Sequence, residues 1–232
     1  MVEISMVLYD SPLQSVSEFS ESFMQEKAIL NDATRESCPP KHLILDFARH
    51  YPAIRRLPVE IQRKIGRPDI AHISLLNLLH HPLMAANPVL AYVQTIGGKW
   101  FRVPPDWRIP VNYIRFTGLM RQLFSSGRIP KSGKTILELH EGSLSNLIES
   151  EGLQAKKILL SSSGTLIPIK DLVTQVTKFG AILIVGGFQK GNPSKTVLDI
   201  ADEVYSIYPR QLSSWTTISL LMTSLLAHIQ RD

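Results

Sequence analysis

The run AILIVGG (181–187) restricts the fold more than any other stretch, because five consecutive apolar residues lead straight into two glycines. A strand without polar alternation has to be covered on both faces, and such strands belong to parallel sheets flanked by helices. Three further short runs, TILELH (135–140), KKILLSSS (156–163) and EVYSIYP (203–209), alternate with the helical segments SLSNLIES (143–150), PIKDLVTQV (168–176) and a long terminal one from about 212. Four strands alternating with helices predict an α/β fold with a parallel, doubly covered sheet. In the terminal segment Leu212, Trp215, Ile218, Met222, Leu225 and Ile229 recur at steps of three and four, giving one apolar face for the core or for a second copy of the chain.

Upstream, ISMVLY (4–9) predicts a first strand closed by the turn DSP. A polar, acidic stretch follows to ESCPPK (36–41), and RKIGRPD (63–69) leads into a strongly apolar helix over 69–79. PVLAYVQT (88–95) and KWFRV (99–103), separated by IGG, predict a hairpin, and a proline-rich connection runs from there into the helix YIRFTGLMRQLF (113–124). The single cysteine, Cys38, excludes an internal disulfide framework and suits a reducing cytoplasm. The first residues lack a basic leader, and the most apolar tract, ISLLMTSLLAHI (218–229), is broken by Ser and Thr and falls short of the roughly 20 residues of a membrane span.

Charge is unevenly placed. Residues 1–40 carry two basic and seven acidic groups, 41–67 carry seven basic and two acidic, and 95–134 carry eight basic and one acidic. From 135 onward the chain is nearly balanced. The pattern suggests a polyanion-facing part joined to a neutral one.

Several sites are excluded by spacing. SGKT (132–135) ends like a phosphate loop, but five residues separate Gly127 from Gly133 and the motif lies before a strand rather than a helix. GGFQKGNPSK (186–195) has the glycine spacing, yet Asn192 and Pro193 stand where lysine and a hydroxyl are needed. His72, His80 and His81 lack a carboxylate or thiolate at a ligand spacing, so no metal site is expected. No Gly-x-Ser-x-Gly elbow is present, and no Gly-x-Gly-x-x-Gly of a dinucleotide oxidoreductase. What remains is three small or polar loops at strand ends, SSSGT (161–165), GGFQKG (186–191) and YPRQLSS (208–214). Ligands of open α/β sheets lie at such ends, so the three loops are either ordinary turns or one nucleoside pocket.

Five stretches stand in an order that is itself informative: RPDIAHISLLNLL (67–79), PLMAANPVLAYVQT (82–95), RIPVNYIRFTGLMRQLF (108–124), IVGGFQKG (184–191) and SIYPRQLSSWTTISLL (206–221). Together they resemble the ribosome-biogenesis pseudouridine N1-methyltransferases, archaeal-like members of the SPOUT class, from about Leu45 to the C-terminus. The resemblance implies one SPOUT-type domain over 1–232, with a basic RNA-facing hairpin and helix extension at about 82–134 and a cofactor-binding part with a C-terminal trefoil knot at about 155–232. It also implies S-adenosyl-L-methionine as methyl donor, a homodimer, and a pseudouridine-bearing hairpin of small-subunit rRNA as substrate.

Under that resemblance Ser162, Ser163, Gly164, Thr165, Gly186, Gly187, Phe188, Gly191, Ile207, Tyr208, Pro209, Arg210, Gln211 and Leu212 surround the cofactor, while Arg67, Arg108 and Arg115 contact the RNA. Arginine suits the second task because its planar fork binds phosphate bidentately and stacks on a splayed base. Pro68 and Asp69 are ordinary helix-start residues, preset in φ and favoured by the helix dipole; the resemblance adds that Asp69 orients Arg67 by a charge-assisted hydrogen bond. Methyl transfer to N1 then rests on positioning, with water taking the proton. The chain departs from the family pattern at Val111, where many relatives carry arginine, and at His80, His81, Pro82, Leu83 and Met84, where they carry Asp-Ser-Pro-Leu-Asn. These departures keep a rival of another class in view: an assembly factor that binds pre-ribosomal RNA and whose methyl transfer is weak or dispensable.

Overall fold

The structure is a computed structural model and describes residues 3–189 and 191–230. The strands are β1 (Ile4–Ser11), β2 (Leu90–Thr95), β3 (Lys99–Val103), β4 (Arg128–Ile129), β5 (Leu137–Glu138), β6 (His140–Glu141), β7 (Lys157–Leu166), β8 (Ala181–Gly186) and β9 (Glu203–Ser206). The helices are α1 (Glu21–Met24), α2 (Lys27–Arg35), α3 (Phe47–Ile54), α4 (Val59–Gln62), α5 (Pro68–Leu79), α6 (Leu83–Ala86), α7 (Tyr113–Ser126), α8 (Leu144–Ser150), α9 (Ile169–Phe179), α10 (Lys195–Ile200) and α11 (Ser214–Ile229). Seven strands form one sheet in the order β6-β3-β2-β1-β8-β7-β9, and β4 pairs with β5 apart from it. The five from β2 to β9 are parallel, whereas β3 and β6 add antiparallel edges.

The apolar runs are explained by cover on both faces. Along β1, Ile4, Met6 and Leu8 face a cluster shared with α5, α7, α9 and α11, while Val7 and Tyr9 face a second cluster shared with α8 and α10. β8 divides the same way, Leu183 and Val185 to one side and Ile182 and Ile184 to the other. A smaller third cluster lies under α2 and α3.

Two sequence expectations are corrected here. TILELH is no parallel strand: it yields β5, antiparallel to β4, and β6, antiparallel to β3. The reason is legible in hindsight, since Glu138 and His140 alternate with leucines and are exposed, a pattern that suits a half-wet antiparallel edge. SSSGT is no simple loop either, because β7 continues to Leu166. Both Leu160 and Thr165 register against Tyr205, so residues 161–164 bulge out of the ladder.

The acidic segment at 17–36, for which the sequence suggests no role, neutralises part of the basic middle. Glu36 pairs with Arg49 and with Arg121, each at 2.9 Å, Glu26 with Arg56, and Glu18 with Lys99 at 3.3 Å. Buried Asp32 accepts from His50 Nε2 at 3.0 Å, while His50 Nδ1 receives the Asp46 main-chain N–H. Burial pushes the His50 imidazole below its usual range, so it stays neutral.

Candidate functional site

β8 lies between β1 and β7, and β9 lies on the far side of β7, so the chain changes direction across the sheet at this point. Ligands of open sheets bind outside the carboxyl ends of strands at such a switch. There an open cleft lies between the strand ends and the start of the terminal helix. Its floor is Tyr9, Leu160 and Val185, and its walls come from the ends of β7, β8 and β9 with the start of α11. Tyr9 is buried and meets Phe188 edge-on at 5.6 Å between ring centres. Burial keeps its phenol protonated far above the usual range.

The cleft owes its shape to missing side chains. A Cβ on Gly186 would stand 3.0 Å from the Phe188 ring, crowding it, and in ordinary contact with Tyr9 at 3.5 Å. Gly191 holds φ +129°, a conformation other residues rarely adopt. The Ser214 hydroxyl donates to the Gly186 carbonyl, and Ser206 Oγ donates to the Tyr208 carbonyl at 2.7 Å. Across residues 207–212 no main-chain N–H donates to a protein acceptor among the described residues. These amides remain available to water or a ligand. Arg210 is the one charged side chain lining the cleft, and no carboxylate or imidazole lines it, among the described residues.

Of the residues singled out from the sequence, Ser162, Gly186, Phe188, Gly191, Ile207, Tyr208, Arg210, Gln211 and Leu212 line this cleft. Ser163, Gly164, Thr165, Gly187 and Pro209 do not. Gly164 instead packs on β9, where a Cβ would lie 2.7 Å from the main chain of Tyr205 and Val204. Gly187 ties β8 to β1 by donating its N–H to the Tyr9 carbonyl at 2.7 Å. Tyr9, Leu160, Val185, Pro193, Tyr205, Ser206 and Thr217 line the cleft and escaped the sequence reading. For Tyr9, Leu160, Val185, Tyr205 and Ser206 the only signal was position in or near a strand end, which any buried strand shares, and Pro193 and Thr217, in a loop and in α11, gave none. The terminal helix begins at Ser214 with Ser213 as its cap, so Leu212 belongs to the cleft; Ile218, Leu221, Met222 and Leu225 of α11 are core, while Trp215 is half-buried.

A second group of residues gathers around the start of α5. Asp69 accepts from Arg67 Nε at 2.9 Å and from Arg67 Nη2 at 2.7 Å, a bidentate pair. Hydrogen bonding to Asp69 raises the guanidinium further, against the desolvation that opposes it. His72, one turn later, is buried; its Nε2 donates to the Pro110 carbonyl at 2.7 Å, and its ring stacks on Phe116 at 4.5 Å. A carbonyl only accepts, so Nε2 carries the proton. Tyr113 Oη donates to Asp46 at 2.6 Å, joining the start of α7 to the start of α3. The RPD helix thus holds the RIP connection in place. Arg108 and Arg115 are exposed and make no ion pair among the described residues.

Lys64, three residues before Arg67, approaches the cleft: its Cε lies 3.8 Å from where a Cβ of Gly191 would stand. His81 is engaged by Leu83 N–H at 3.2 Å and by Thr223 at 3.3 Å. No group of three His, Cys, Asp or Glu among the described residues is arranged to hold a metal ion, and among them no helix is long and apolar enough to cross a membrane.

Comparison with known proteins agrees with this geometry. The ribosomal RNA small subunit methyltransferase Nep1 of Staphylothermus marinus is 34% identical over 217 residues, covering 93% of this chain and 92% of that protein. The Nep1 of the same name from Methanothrix thermoacetophila is 34% identical over 226 residues, covering 97% and 96%. A crystal structure of Archaeoglobus fulgidus Nep1 bound to S-adenosylhomocysteine superposes with a TM-score of 0.83 at 25% identity, over 100% of both chains. The EMG1/NEP1 methyltransferase pattern matches residues 6–226, and the chain belongs to that family.

Proposed function

We propose that this chain methylates N1 of a pseudouridine in small-subunit ribosomal RNA with S-adenosyl-L-methionine as donor, in ribosome biogenesis. The observation that carries the reading is one chain with two unlike surfaces, a cleft at the ends of β7, β8 and β9 whose one charged lining side chain among the described residues is Arg210, and a cationic surface whose Arg67 is held by Asp69, with Lys64 approaching the cleft at Gly191.

When bound, the donor supplies a methyl group on a positively charged sulfur. The cleft suits such a group: Arg210 is its one charged lining side chain among the described residues, and the main-chain N–H groups of 207, 208 and 210–212, which donate to no protein acceptor among them, are suited to read an adenine edge. The missing side chain of Gly186 leaves the Phe188 ring in place beside it. Arg67, oriented by Asp69, takes the splayed nucleotide, and Arg108 and Arg115 take phosphate. No carboxylate lines the cleft among the described residues, so the N1 proton leaves to water and catalysis comes from alignment.

The same reading carries a homodimer, a cytoplasmic place of work and a knotted cofactor-binding part at about 155–232 behind the basic extension at about 82–134. The homodimer rests on the family resemblance; for the cytoplasm the support is the free Cys38. Transfer of tritiated methyl onto a pseudouridine hairpin, with none onto its uridine counterpart, is the expected result. A melting temperature unmoved by S-adenosylmethionine, together with no transfer, would overturn the reading. Tight hairpin binding without transfer would favour the assembly-factor alternative.

A further inference from the structure

The connection that carries Arg108 is pinned from inside at four points. Ile109 is 3% exposed, the Pro110 carbonyl is held by His72, Tyr113 is held by Asp46, and Phe116 is fully buried against the His72 ring. Asn112 caps the helix by accepting from the Arg115 N–H at 3.1 Å. Fixing these points turns Val111 and Ile114 outward, at 71% and 59% exposure. Val111 precedes the helix cap, where an apolar residue ordinarily packs on the fourth helical position as a staple. Here that position is Phe116, whose face is already taken by His72, and Val111 points away.

Single exposed aliphatics need no explanation. Two together on a rigid turn, flanked by Arg108 and Arg115 whose side chains make no ion pair among the described residues, are a different case. Arginines at both ends select a polyanion, and an apolar surface between them has no use for phosphate. It does have use for the face of a base, and a base exposes its face only when unstacked, as in a loop of RNA.

We infer that Val111 and Ile114 form an apolar seat for an unstacked base of the RNA loop, between two guanidiniums that hold the adjacent phosphates. The inference rests on the RNA reading proposed above and adds a specificity determinant to it. Val111 and Ile114 carry no charge, so the grip at this seat depends less on salt and more on the presence of a base.

The test uses the full chain with a pseudouridine-bearing hairpin and the same hairpin made abasic at the loop nucleotides flanking the pseudouridine. Val111→Ser with Ile114→Ser is expected to weaken binding to the intact hairpin about tenfold, in line with the loss of two partly buried aliphatics. The slope of log affinity against log salt stays unchanged, the abasic hairpin shows little difference, and the melting temperature is unaltered. Val111→Leu, which keeps the apolar surface, binds like the parent. Arg108→Gln with Arg115→Gln lowers the salt slope by about 0.7 for each phosphate no longer neutralised.

The inference is overturned if the serine pair binds like the parent, if its loss is equal on the abasic hairpin, or if the salt slope falls with it. A change of association state in light scattering also overturns it, because the patch would then be an interface between copies. Failure of the underlying reading looks different: the parent does not bind the hairpin, or the arginine variants leave binding untouched.

Discussion

The cleft and the basic surface are built by opposite means. In the cleft, glycines and free main-chain amides do the shaping, and side chains matter chiefly by being absent at 186 and 191. On the basic surface each important side chain is held by another: Arg67 by Asp69, the RIP connection by His72, Tyr113 by Asp46. A site made of backbone tolerates exchange of its polar side chains and fails when atoms are added. A site made of paired side chains fails when one partner is removed.

That contrast orders the expected effects of substitution. The largest belongs to Gly164→Ala, because the new methyl meets main-chain atoms of β9 at 2.7 Å and backbone cannot swing aside. Destabilisation of about 2–3 kcal/mol in urea is expected, along with loss of the melting shift caused by S-adenosylmethionine. Full stability in this variant would break the claim that β7 approaches β9 closely enough to need a missing side chain at 164. Next is His72→Ala, which removes the Pro110 hydrogen bond and empties space beside Phe116. A loss of about 2 kcal/mol is expected, with weaker hairpin binding and an unchanged cofactor-induced shift; loss of that shift as well would mean the two regions are not separately built.

Asp69→Asn sharpens the comparison further. The pair is partly exposed, so stability should fall by less than about 1 kcal/mol. Hairpin affinity should nevertheless drop several-fold as Arg67 loses its orientation, measured by titration at fixed salt. The smallest effect concerns pH. His50 is held neutral by burial, with its folded pKa below the usual 6.5. Below about pH 6.5 the unfolded chain binds a proton that the folded chain refuses, so stability falls as pH decreases through that value toward the folded pKa and is fully present above it. Urea midpoints at pH 7.5 and 5.5 check this, and His50→Gln should narrow the difference.

How much of this was legible depended on whether neighbours in sequence were neighbours in space. β1, β8 and the start of α5 stood out because apolar runs and Pro-Asp at a helix start are local signals. TILELH misled because a two-residue strand takes its direction from whichever partner lies beside it. His72 drew no structural role from the sequence, since nothing near it in the chain reveals a carbonyl 38 residues away. The acidic segment looked idle for the same reason: its partners lie at 49, 56, 99 and 121.

The chain by itself determined which segments must be covered on both faces, where the glycines permit close approach, and the order of motifs that ties it to a methyltransferase family. Only the folded molecule decided which of those glycines open a cleft and which merely let strands touch, and which cations stay free once the acidic segment has claimed its share. Hydrophobic periodicity is written residue by residue, whereas pairing of charges and exclusion of atoms depend on distances that no linear spacing encodes.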